Sequence, residues 1–125
     1  MTLISIVDDD ESIRTALKRL FRSVGFDVAV FASAEEFLNS GDLQTSSCLI
    51  LDLRMPGMDG LELQGRLAAS HCRIPIVFLT AHSDEITRAK ALRAGAISFL
   101  SKPFSEESLI RDVTVAVDQH RLNAH

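Results

Sequence analysis

Five short apolar runs, each followed by a stretch of helical spacing, leave few folds open to this chain. The runs are Leu3 to Val7, Val28 to Phe31, Cys48 to Leu51, Ile76 to Leu79 and Ala96 to Leu100. Between the first two, Ile13, Ala16, Leu17, Leu20, Phe21 and Val24 recur at the spacing of one helix face, and Gly25 stands where a left-handed helix cap is wanted. Ser33 with Glu36 fits a capping box ahead of Phe37 and Leu38. Helical spacing returns at Leu61, Leu63, Leu67 and Ala68. It recurs at Ile86, Ala89 and Leu92, where Asp84 can cap and Gly95 closes, and at Leu109, Ile110, Val113, Ala116 and Val117. Near-continuous apolar strands alternating with helices predict an α/β protein with a doubly wound, five-stranded parallel sheet covered on both faces. At 125 residues it is a single domain.

Such sheets bind ligands beyond the carboxyl ends of their strands, so the residues just past each run carry the functional reading. Asp8 and Asp9 follow the first, Asp52 follows the third, Thr80 ends the fourth and Lys102 lies just past the fifth. Each has an ordinary alternative as a turn former, helix-end charge or surface residue; their convergence on one edge is what points to a site. Three carboxylates gathered without a counter-charge repel. A hard divalent cation such as Mg2+ resolves the repulsion through oxygen ligands. Carboxylates, cation, lysine and threonine together describe a site that stabilises a phosphoryl group by position and charge. An aspartate can itself accept phosphate as an acyl phosphate.

The segments Val7-Asp8-Asp9-Asp10, Leu51-Asp52-Leu53-Arg54-Met55-Pro56-Gly57-Met58-Asp59-Gly60, Leu79-Thr80-Ala81, Gly95-Ala96 and Lys102-Pro103-Phe104 span nearly the whole chain. Through them it resembles the receiver domain of two-component response regulators. Phe31 to Phe37, Thr80-Ala81-His82 and Lys102-Pro103-Phe104 are closest to FixJ-type transcriptional regulators. The resemblance implies a flavodoxin-like (βα)5 fold, also called CheY-like, with strand order 2-1-3-4-5. It implies a receiver over residues 1–120, the start of a linker or tail at 121–125, and no output domain here; the last helix running into the chain end reads as an excised receiver. By the same resemblance Asp52 would be the phosphoacceptor, with Thr80 and Lys102 gripping phosphate oxygens. Asp8, Asp9, Asp52 and the backbone carbonyl of Arg54 would bind Mg2+ or Mn2+. Thr80 and Phe99 would form a switch in which Phe99 rotates inward. Ala81 would leave room for phosphate, and Lys102-Pro103 would be cis. Arg54 and His82, two positions past Asp52 and Thr80, would flank the site and tune the phosphate's lifetime. The implied partners are a sensor histidine kinase, a second copy bound through the fourth-helix, fifth-strand face on phosphorylation, and DNA only through the missing output domain. The chain would phosphorylate and dephosphorylate itself rather than turn over a substrate.

Composition narrows the rivals. A net charge of −4 excludes a broadly basic nucleic-acid face. Asp8, Asp9, Asp52 and Lys102 contribute half of that excess. Seven Phe with no Trp or Tyr leave no aromatic stacking platform of the usual kind. Cys48 and Cys72 make neither a disulfide framework nor a zinc motif. No apolar stretch approaches the roughly 18 residues of a membrane span, so the expectation is a cytoplasmic protein with no membrane partner. Two alternatives remain. One is a Mg2+-dependent phosphatase working through an aspartyl phosphate, a class that wants an acid where Arg54 stands. The other is a receiver-like interaction module that takes no phosphate, whose mark would be a lost site residue.

Overall fold

The computed structural model describes residues 2–123. Strands and helices alternate throughout: β1 (Leu3–Val7), α1 (Glu11–Ser23), β2 (Asp27–Phe31), α2 (Ala34–Leu38), β3 (Ser46–Leu51), α3 (Gly60–Ala69), β4 (Ile76–Thr80), α4 (Glu85–Arg93), β5 (Ser98–Ser101) and α5 (Glu106–Asn123). Every strand pair is parallel, and the order across the sheet is β2-β1-β3-β4-β5. The expected fold class and strand order are those observed.

The boundaries depart from the apolar runs where a polar or terminal bond takes over. β3 begins at Ser46, ahead of Cys48, because the hydroxyls of Ser46 and Ser5 bond to each other at 2.6 Å inside the sheet. A polar pair therefore extends the strand beyond what hydrophobicity marks. β5 begins at Ser98 rather than Ala96, since the Ala96 N–H is committed to closing α4, donating to the Ala91 carbonyl at 3.0 Å. α5 runs on to Asn123, so residues 121–123, expected as linker or tail, are helix. Ser33 accepts from the Glu36 N–H at 3.1 Å and caps α2, without the return bond of a capping box.

Alternation along each strand divides the core in two. Leu49 and Leu51 of β3 join Val7, Phe37, Leu63, Leu67 and Phe78 on the face covered by α2, α3 and α4. Cys48 and Ile50 join Ile4, Ile6, Leu17, Phe21, Leu109 and Val113 on the face covered by α1 and α5. Both faces of the central strands are buried, which is why β3 and β4 read as unbroken apolar runs. Among the described residues, no helix is long and apolar enough to cross a membrane.

Candidate functional site

Backbone bonds carry the ladder one residue past the strands and seat the polar residues there. The Asp8 N–H donates to the Phe31 carbonyl at 3.1 Å, Asp52 to Val7 at 2.9 Å and Lys102 to Thr80 at 2.8 Å. Asp8, Asp52 and Lys102 are thus fixed by the sheet at one edge.

The side chains converge. Asp8 is buried; one carboxylate oxygen accepts from the Asp10 N–H at 2.9 Å, and the other accepts from Lys102 Nζ at 2.9 Å. The Asp8 carbonyl accepts from Arg14 Nη1 at 2.8 Å. Lys102 Nζ stands 3.9 Å from Asp52 Oδ2, so one ammonium serves two carboxylates. One carboxylate oxygen each from Asp8, Asp9 and Asp52 lies within 4.8 Å of the others, with Asp9 exposed. Burial, reinforced by the Asp8 charge, pushes Asp52 from 3.8 to about 6, against the pull of Lys102 and the Leu53 N–H. One lysine does not neutralise this cluster. Its donors are hard oxygens in a confined, repelling group, which is the chemistry a divalent cation relieves.

Thr80 is fully buried at the end of β4, and its hydroxyl accepts from the His82 N–H at 3.0 Å. Phe99, 8% exposed, packs its ring 5.7 Å from that of Phe78. The ring lies among the apolar residues on the side of the sheet covered by α2, α3 and α4. Arg54, Ala81 and His82 are exposed, at the loops beyond β3 and β4. Asp84, the N-cap of α4, is held below its ordinary range chiefly by the backbone and hydroxyl of Thr87, with a smaller pull from the Arg54 guanidinium. The Lys102-Pro103 bond is cis, as expected.

The loop from β3 to α3 holds what sequence reasoning underrated. Asp59 accepts from the Glu62 N–H at 2.8 Å while Glu62 accepts from the Asp59 N–H at 3.2 Å, a complete capping box. Its signal was present as an aspartate three residues before a glutamate at a helix start. A Cβ on Gly60 would meet the Asp52 carbonyl oxygen at 2.5 Å. Only glycine lets α3 begin directly against the strand end that carries Asp52. Glu35 of α2 also reaches this loop, accepting from the Met58 N–H at 3.1 Å. Nothing in the local sequence announces that contact. Cys48 and Cys72 are both free thiols; burial pushes that of Cys48 far above its ordinary value.

Residues 4–114 match the family described as the response regulator receiver domain. The chain is 44% identical over 119 residues to Nodulation protein W of Bradyrhizobium diazoefficiens, covering 95% of this chain and 52% of that protein. It superposes on the response regulator StyR with a TM-score of 0.92 at 43% identity, covering 98% of this chain and 62% of that one. With the FixJ-N crystal structure the TM-score is 0.85 at 35% identity, covering 94% of each. The chain spans about half the length of Nodulation protein W.

Proposed function

This chain belongs to the receiver-domain family of two-component response regulators, and from that membership we propose that it accepts a phosphoryl group on Asp52 from a sensor histidine kinase. The observation that carries the assignment is the gathering of three carboxylates within 4.8 Å, with Lys102 Nζ 2.9 Å from Asp8 and 3.9 Å from Asp52.

Asp8, Asp9, Asp52 and the Arg54 carbonyl would hold Mg2+ or Mn2+, which when bound supplies positive charge to the phosphoryl oxygens. Asp52 attacks phosphorus with a carboxylate oxygen. The phosphorus–nitrogen bond of the donor phosphohistidine breaks, its electrons leave on the imidazole, which takes a proton, and an acyl phosphate forms. Lys102, 3.9 Å from Asp52, would exchange that contact for one with a phosphoryl oxygen. The Thr80 hydroxyl, now accepting from the His82 N–H, would turn to donate to another. Movement of Thr80 towards the phosphoryl group would give up the His82 bond and leave space into which Phe99 rotates inward, the proposed switch. Ala81 presents only a methyl group beside the site. Arg54 and His82 would tune the entry of hydrolytic water.

Receiver domains of this family generally signal rather than catalyse, which supports the signalling reading over the phosphatase one. In the whole protein, the conformational change would pass to a DNA-binding output domain, as the transcriptional relatives suggest. The α4–β5 face, where Ile86 is 72% exposed, would pair with a second copy. A cytoplasmic location follows from that role. Intact mass after incubation with a small phosphodonor and Mg2+ tests the reading. One added phosphate in the wild type and none in Asp52→Asn supports it; no gain in either overturns it.

A further inference from the structure

We propose that Glu35 is a positioning residue for the cation site: from the first turn of α2, its carboxylate holds the β3–α3 loop in the shape that offers the Arg54 carbonyl as a ligand. The inference rests on the cation reading proposed above and adds a residue from outside the acidic cluster.

Two ties shape the loop. At its base, the Gly60 N–H donates to the Leu53 carbonyl at 2.8 Å, closing the chain back on the end of β3. At its tip, the Met58 N–H donates to Glu35 Oε2 at 3.1 Å, a bond across 23 residues of sequence. Arg54 lies between these ties. The tip is built to admit the carboxylate: a Cβ on Gly57 would sit 2.8 Å from Glu35 Oε2, and Gly57 has a φ of +79° that side chains rarely adopt. Glu35 is exposed, yet its helix is well anchored. Ser33 caps it, and Ala34 and Phe37 on either side of Glu35 are fully buried. A short helix pinned by its apolar side thus carries a charged acceptor to the tip of the loop, beyond the stretch that buried Leu53 and Met55 anchor. Groups that orient ligands from outside the coordination shell commonly change metal affinity about 10–100-fold when removed. Glu35 acts four residues from the ligand, so a smaller effect, roughly 3–10-fold, is expected.

The test is calorimetric titration of the chain with MgCl2, with thermal melts in chelator as the structural reference. Glu35→Ala should weaken Mg2+ binding by that factor while the cation-free melt stays near wild type. Glu35→Gln should stay within about twofold of wild type, because its amide oxygen still accepts from the Met58 N–H. Gly57→Ala, which crowds the carboxylate, should weaken binding as Glu35→Ala does. Wild-type affinity in Glu35→Ala overturns the proposal, as does a lowered cation-free melt with affinity unchanged. A Glu35→Gln variant as weak as Glu35→Ala also overturns it, since charge rather than the hydrogen bond would then be acting. Asp9→Asn separates the two levels. If it leaves Mg2+ binding at wild-type strength, the acidic cluster is not the cation site and the reading beneath the proposal fails first.

Discussion

Asp52, the proposed phosphoacceptor, sits where its environment works against stability. Its folded value of about 6 lies above the ordinary 3.8, because burial and Asp8 outweigh the pull of Lys102. The folded chain therefore holds a proton that the unfolded chain releases across that window. Stability falls as pH rises from about 4 to about 6 and stays at the lower level above it. At 1.36 kcal/mol per unit, discounted for water at the site, the cost is about 1–2 kcal/mol. Asp52→Asn lacks the titration, so in chelator it should melt above wild type at pH 7.5, with the gap closing towards pH 4. Melts across that range check both sign and window. Lys102 is the complementary case. Lys102→Ala strips Asp8 of its 2.9 Å partner while Asp8 stays buried, and should cost about 1–3 kcal/mol in the same measurement.

Among the elements, α3 governs the geometry of the site because it starts against the strand end that bears Asp52. Asp59→Ala removes the side-chain cap on the Glu62 N–H, while the backbone N–H of residue 59 can still donate to Glu62. A loss of about 1 kcal/mol is expected. Gly60→Ala should cost more, because backbone rather than a yielding side chain occupies the space 2.5 Å from the new methyl group. Urea unfolding of the two variants ranks these effects, and an equal ranking would count against the packing argument. α4 is held differently. Ala91 is the buried residue of that helix, and buried Gln64 of α3 donates to the Ala91 carbonyl at 3.0 Å. A helix with so little apolar anchorage suits the part of the molecule expected to move. Its sequence showed this only as a weak apolar stripe, and Gln64 gave no sign of reaching it from 27 residues away.

For the whole molecule, a cation held at the acidic edge would couple its binding to folding. A ligand that binds only the folded state stabilises it by about 2.7 kcal/mol at a hundredfold excess over its Kd. Mg2+ should therefore raise the melting temperature of the wild type by roughly 5–10 °C. Asp9→Asn should abolish the rise, and differential scanning fluorimetry with and without Mg2+ measures it. Asp52→Asn should show a smaller rise than wild type, because it has both lost a ligand and relieved the repulsion the cation neutralises.

Sequence alone determined the alternating elements, the parallel sheet and the strand-end residues, because burial on both faces forces unbroken apolar runs and leaves polar residues only where strands emerge. It also placed Asp8, Asp9, Asp52, Thr80 and Lys102 at those ends, since position along a strand is a local property. Tertiary structure decided the rest. Lys102 meets Asp8 across 94 residues, the Ser5–Ser46 pair lengthens β3 inside the sheet, and Phe99 packs against Phe78. Glu35 reaches the loop beside the site. These contacts join residues whose local sequences are silent about one another, and only the packing of helices onto a folded sheet brings their atoms within bonding distance.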